Sequence, residues 1–263
     1  MTEPVPARRL LPEDIPLLYQ DAWLVAAYKP AGLLVHRSQV DRGARQFLLQ
    51  LLRDRVGQRV YPVHRLDRPT AGLIVFGLDP DSAGRMASAF AERRVAKRYL
   101  AVVRGWTDDS GRIDRPLMSL EDRYTGSSRG TEMPKEAITE YRTLARCELP
   151  YPVGRYATAR YSLVEAHPLT GRQHQIRRHF NHISHPIIGD VNHGDRHHNR
   201  FFRQHFGCHR LLLLAHALDL PHPAEARILS LRTEPDTEFA SVLARLGWDA
   251  EVDNLQNGSA API

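Results

Sequence analysis

Two stretches of this chain, "AITEYRTLARC" (137–147) and "ATARYSLVEAHP" (157–168), send alternate side chains to opposite faces. A period of two belongs to extended chain, and two such runs in succession read as antiparallel strands. That pattern recurs. "LLYQDAWLVAAYKPAGLLVH" gives two short strands around Asp21 and a turn at Lys29-Pro30-Ala31-Gly32, and "RYLAVVRGW" is another strand. Gly72–Leu78 is a buried strand by composition, and "RLLLLAHALDLPHP" and "ARILSLRT" have strand character too.

Helical spacing appears between the strands. Phe47, Leu48, Leu51, Leu52 and Val56 share a face, with Asp41 placed to cap the start and Gly57 to end the helix. "DPDSAGRMASAFAERRVAK" packs through Met86 and Phe90. "TGRQHQIRRHFNHISHP" reads as a helix capped by Thr170 and stopped by Pro186, and "TEFASVLARLGW" as a last short one. Many antiparallel-looking strands with scattered helices predict an α+β fold: a central mixed, largely antiparallel sheet flanked by helices and loops. Residues 1–14 read as a loose arm, 15–250 as one domain without internal repeats, and 251–263 as a frayed tail. The polar segment 107–136 reads mostly as a long irregular surface excursion.

At 263 residues and 42% hydrophobic content the chain can bury a genuine core. Two cysteines, Cys147 and Cys208, are too few for a disulfide framework and lack metal-site spacing. No apolar run approaches the roughly 20 residues that span a bilayer. The N-terminus has no signal-peptide apolar core, so a cytoplasmic protein is expected. Charge is concentrated. Residues 155–210 hold nine arginines against three acids, an excess that equals the net +6 of the whole chain, and ten of its 14 histidines. Such a field attracts phosphates, and nucleic acid is the favoured partner.

The chemistry-bearing residues fall in a few places. Asp67, in "HRLDRP", sits just ahead of a buried strand between Arg65 and Arg68. It can be a nucleophile, a base or a cap. Tyr99 follows Lys97 and Arg98 and can stack on a base if it faces a cleft. "TGRQHQIRRH" spreads Arg172, His174, Arg177 and Arg178 around a helix, a set that can touch phosphate at several points. His193, His197 and His198, with Asp190 and Asp195 beside them, raise a zinc reading, but their spacing matches no strong metal motif. No nucleophile elbow, dinucleotide fingerprint or phosphate-binding loop is present.

Taken in order, "YKPAGLLVH", "HRLDRPTAG", "KRYLAV", "TGRQHQIRRH", "HPIIGD" and "LLLLAHALDLPHP" resemble segments of the RluA-type pseudouridine synthases, over residues 15–235. That family usually has Ser where this chain has Ala71. "LVHRS", "YPVGRYATARYSLVE" and "QIRRHFNHISHPIIGDVNHGDRHHNRFF" resemble the branch that modifies uridine 65 of transfer RNA, and no S4-type RNA-binding module is expected ahead of Asp67.

The resemblance implies roles. Asp67 corresponds to the essential aspartate, and Arg65 to the arginine that moves with the flipped base. Tyr99 corresponds to the aromatic on the uracil, Arg177 to the arginine paired with the catalytic carboxylate, and Ile176 to its apolar neighbour in the base pocket. Arg172, His174, Gln175 and Arg178 are expected in substrate binding. Moving uracil from N1 to C5 of the same ring changes no oxidation state and no atom count, so no cofactor or metal is expected. A buried Arg177 is expected to keep Asp67 charged against desolvation. The expected partner is RNA, with transfer RNA ahead of ribosomal RNA, and the expected state is a monomer away from membranes. A non-catalytic RNA-binding protein and a zinc hydrolase using the 193–198 histidines are the other classes.

Overall fold

A computed structural model describes residues 9–36, 45–119, 133–248 and 250–251. Its frame is one ten-stranded sheet. The strands are β1 (Leu17–Gln20), β2 (Leu24–Lys29), β3 (Tyr61–Pro62), β4 (Ala71–Gly77), β5 (Ala96–Arg104), β6 (Ser110–Asp114), β7 (Ile138–Leu149), β8 (Ala159–Pro168), β9 (Leu213–Pro221) and β10 (Ile228–Arg232). The main path runs β1-β2-β4-β9-β5-β8-β7-β6, with β3 added beside β4 and β10 beside β9. Every pairing is antiparallel except β4 with β9, which touch through Ala71–Leu214 and Gly72–Ala215. The mixed, largely antiparallel α+β expectation is met.

The apolar run of β4 follows from what covers it. Its alternate residues enter two cores: Ile74 and Phe76 pack with Val25, Ala27, Leu48, Leu51 and Leu52, while Leu73 and Val75 pack with Leu24, Ala26, Met86, Ala89 and Leu218. A strand covered on both faces has no polar side to show. Helix α1 (Leu48–Val56) covers the first face and α2 (Pro80–Ala91) the second. A third core packs Tyr161, Phe201, Phe202, Phe239 and Trp248 beneath α4 (Arg196–Phe206) and α5 (Thr237–Arg245), and a fourth packs Ile176 and Phe180 of α3 (Gln175–His182) on Tyr141 and Val164. Each fully buried Leu or Phe contributes about 1.5–3 kcal/mol.

Gly57 ends α1 in the left-handed conformation, as expected, while Asp41 lies outside the described residues. Three expectations change. The 107–136 segment is not all irregular: β6 pairs with β7, and Leu117 bridges Lys135. As an edge strand with only Ile113 buried, β6 has too little apolar alternation to be seen in sequence. Helix α3 begins at Gln175, not at Thr170, and ends at His182. Helix α4 was hidden among histidines and arginines. Its buried residues are His198, Asn199, Phe201 and Phe202, helical spacing with two polar side chains in apolar places. Asp195 caps it and Gly207 ends it. Among the described residues, no helix is long and apolar enough to cross a membrane.

Candidate active site

The loop that joins β3 to β4 carries Asp67, and it is fastened on both sides. Upstream, His64 Nε2 accepts the Val75 amide at 3.1 Å, and its ring stacks on Phe90 at 4.5 Å. Burial pushes this imidazole down to about 3, so it is neutral and can accept. Downstream, Lys29 is wholly buried and donates Nζ–H bonds to Leu33 O (2.8 Å), Pro30 O (3.0 Å) and Arg68 O (3.1 Å). The Gly32 amide also donates to Arg68 O at 2.8 Å. Burial lowers the Lys29 ammonium to about 7 against the opposing pull of Asp67. Gly72 lets the loop enter the sheet here. Its φ is +113°, and a Cβ would lie 2.3 Å from Ala215 O. Only glycine tolerates that conformation and that approach.

Helix α3 brings the partner. Arg177 is 2% exposed, and its Nη1 donates to Asp67 Oδ2 at 3.2 Å. The rest of the guanidinium is taken by a second acid: Nε donates to Asp190 Oδ2 at 2.7 Å and Nη2 to Asp190 Oδ1 at 2.8 Å. Asp190 also accepts the amides of Asn192 (2.9 Å) and His193 (3.0 Å). Burial works against the Asp190 carboxylate, but the Arg177 hydrogen bonds and charge outweigh it and hold its pKa below the ordinary value. Burial likewise opposes the Arg177 charge, and Asp190 and then Asp67 more than restore it. Asn199 of α4 closes the arrangement, donating to Asp190 O at 2.8 Å and accepting the Gly189 amide at 2.7 Å.

Asp67 and Arg177 open onto a cleft of about 660 Å³, ample for a nucleotide. Arg65, Arg93, Lys97, Tyr99, Arg172, His174 and Ile176 line it as well. Asp67 is the one acid in that lining among the described residues, so the cleft is basic around a single carboxylate. Lys97 Nζ donates to Thr170 O at 3.2 Å, and burial, with the Arg93 charge, lowers it to about 8. Burial and the Asp67 charge both raise the Tyr99 phenol, which keeps it protonated. The described residues of this site hold a buried ion pair, one reachable carboxylate, an aromatic ring and a basic wall. That set suits chemistry on an extruded base.

A sequence model described as RNA pseudouridylate synthase matches residues 23–182. The chain belongs to the RNA pseudouridylate synthase family. It is 46% identical over 233 residues to the tRNA pseudouridine synthase C of Salmonella typhi, covering 88% of this chain and 90% of that one. It is 43% identical over 244 residues to that of Vibrio parahaemolyticus, covering 92% and 99%. Among solved structures, Human RNA Pseudouridylate Synthase Domain Containing 1 superposes with a TM-score of 0.69 at 25% identity, over 97% of this chain and all of that one.

The sequence reading of a pseudouridine synthase therefore holds, and with it that of an isomerase. The cleft of this family member gathers Asp67, Arg65, Tyr99, Ile176, Arg177, Arg172 and His174, as the sequence suggested. Gln175 also touches the cleft, but its carboxamide is saturated. Its oxygen accepts from Thr170 Oγ1 (2.7 Å) and the Arg172 amide (3.0 Å), and its nitrogen donates to Ile138 O (2.9 Å) and Thr139 Oγ1 (3.0 Å). All four hydrogen-bonding positions are used within the protein, so the side chain is fixed as part of the cleft wall. Arg178 does not line the cleft and donates to Met118 O at 2.9 Å. The 190–198 residues disperse: Asp190 holds Arg177, His193 meets His174, and His198 Nδ1 pairs with Tyr161 OH at 2.9 Å. Sequence reasoning missed Lys29 and Asp190 as parts of this site. Asp190 stood in the quoted "HPIIGD", and Lys29 in the turn at its Pro-Ala-Gly, but neither position signals burial.

Proposed function

We propose that this chain converts uridine 65 of transfer RNA to pseudouridine, acting as a cytoplasmic monomer with Asp67 as the reacting carboxylate. The observation that carries this reading is the Asp67–Arg177 pair, 3.2 Å apart, in a basic cleft whose lining has no other acid among the described residues. The curated relatives named for transfer RNA support the substrate, and the branch-like segments of the sequence support the position. One chain supplies both members of the pair and the cleft around them, which supports a monomer.

The target uridine leaves its stack at a cost of a few kcal/mol. Stacking on Tyr99 and phosphate contacts from Arg93, Lys97 and Arg172 offset that cost. Arg65, exposed in the same lining, takes the side of the extruded base. The N1–C1′ bond then breaks, the uracil turns, and C5 bonds to C1′. C5 loses its proton and N1 gains one, so atoms and electrons balance within the nucleotide. Asp67 serves by attack at C1′, by attack at C6, or by taking a sugar proton. Each route needs the carboxylate fixed against the nucleotide, and Arg177 provides that. Ile176 forms the apolar floor under the ring.

Transfer RNA transcribed with C5-tritiated uridine tests the proposal. Wild-type protein releases tritium and leaves one pseudouridine, mapped at position 65. Asp67→Asn binds the RNA with little change and releases none. Turnover by a folded D67N protein refutes the role of Asp67, and a pseudouridine found only in ribosomal RNA refutes the substrate.

A further inference from the structure

Two imidazoles meet beside the reacting carboxylate. His174 Nδ1 lies 3.0 Å from His193 Nε2, with the rings 5.3 Å apart and tilted by 74°. In such a contact one nitrogen donates and the other accepts. The other nitrogen of His174, Nε2, lies 3.9 Å from Asp67 Oδ2. That is too long for a hydrogen bond, but near enough for the acid's charge to favour an N–H there over a lone pair. Both contacts are met by one state. His193 Nε2–H donates, His174 Nδ1 accepts, and His174 Nε2–H faces Asp67 across the cleft.

Other features hold this state. His174 sits at the start of α3 in the left-handed conformation, φ +54°, and its side chain makes no capping bond. A non-glycine residue in that conformation is strained and persists where its surroundings fix it. Burial pushes the ring down to about 4, with Arg177 and His193 lowering it further and Asp67 and Asp190 opposing, so His174 is neutral. Asp190 accepts the His193 amide at 3.0 Å, so the acid that orients Arg177 also places the second histidine.

We propose that His193 is a positioning residue that fixes the tautomer and orientation of His174, whose Nε2–H then donates to a uracil carbonyl oxygen beside Asp67. This rests on the functional reading above. When the N1–C1′ bond breaks, its electron pair stays with the uracil, and negative charge spreads onto the ring's carbonyl oxygens. A fixed donor stabilises that charge more than it stabilises bound uridine, so it acts on kcat. Neutral imidazole suits the task because its N–H is oriented by what the other nitrogen accepts.

The test combines nitrogen-15 NMR of histidine-labelled protein with tritium release from C5-tritiated transfer RNA. Wild-type His174 should carry its proton on Nε2 and not on Nδ1. His193→Phe keeps a ring but removes the donor. It should lower kcat by about tenfold with little change in KM, as expected for a group that acts through another. His193→Gln keeps an N–H and should restore most of the loss. A proton on Nδ1 of wild-type His174, an unchanged kcat in His193→Phe, or a Gln variant as poor as Phe would each overturn the proposal. Should the Phe variant fail to fold, the wild-type spectrum and the Gln variant decide. Wild-type protein that releases no tritium from transfer or ribosomal RNA overturns the functional reading and the carbonyl contact with it. An Nδ1-protonated His174 in active enzyme overturns the tautomer lock alone.

Discussion

Replacing Arg177 with lysine keeps a positive charge at the centre of the site and removes the fork. The guanidinium makes three contacts, one to Asp67 and two to Asp190. An ammonium on a flexible stem holds one of those carboxylates well, not both. Two charge-assisted hydrogen bonds are therefore lost, each worth about 1.5–3 kcal/mol. The Asp190 carboxylate is 0% exposed, so water does not replace them. The retained charge spares the protein part of the about 3–5 kcal/mol paid when a buried pair loses one partner outright. A net loss of about 3 kcal/mol follows, and for a domain of this size it lowers the melting temperature by about 6–12 °C. The effect on turnover is separate. Asp67 loses its fixed partner, and a misplacement of about 1 Å costs about 100-fold in rate. Calorimetric melting and the tritium-release kcat read the two effects independently. A lysine variant that melts within about 2 °C of wild type, or keeps kcat within about threefold, would refute the shared-fork reasoning.

Lys97→Met should weaken RNA binding and lower the salt dependence of log K by about one phosphate contact, measured by filter binding across a salt series. In the wild type, affinity should also fall as pH rises through about 8, where the Lys97 ammonium loses its proton. Asp21 is held at about 2: burial opposes the charge, but the His222 hydrogen bond, the Trp23 and Leu24 amides and Tyr19 outweigh it. Its folded-state pKa lies below its unfolded one, so its contribution is full above about pH 4 and is lost toward pH 2. Asp21→Asn should flatten that acid limb in urea melts taken at each pH. Gly72→Ala should destabilise by several kcal/mol, since both its φ and the Ala215 backbone reject a side chain; soluble protein with wild-type stability would contradict that geometry.

Much of the frame was legible because burial leaves a period. β7 and β8 alternate, and β4 is apolar throughout. The helices at 48–56, 80–91 and 237–245 carry their packing residues at helical spacing. What escaped was burial of polar groups. His198 fills an apolar position of α4 only because Tyr161 satisfies it, and Gln175 turns inward because four partners await its amide. Neither residue type announces its partner in sequence. The same holds in the site. Asp67 and Arg177 could be named from their motifs, but the doubling of Arg177 onto Asp190 and the Lys29 clamp are matters of distance in space. The displaced start of α3 has a similar cause: the Thr170 hydroxyl accepts the Ile138 amide at 2.9 Å and donates to Gln175, so it is engaged away from a cap.

The groups that steady Asp67 come from both ends of the described chain: Lys29 lies well before it, and Arg177 and Asp190 lie more than a hundred residues after it. During synthesis the aspartate therefore leaves the ribosome long before its counter-ion does. On the proposed role of Asp67, a growing chain carries the acid without the fork that fixes it until Arg177 and Asp190 have been made.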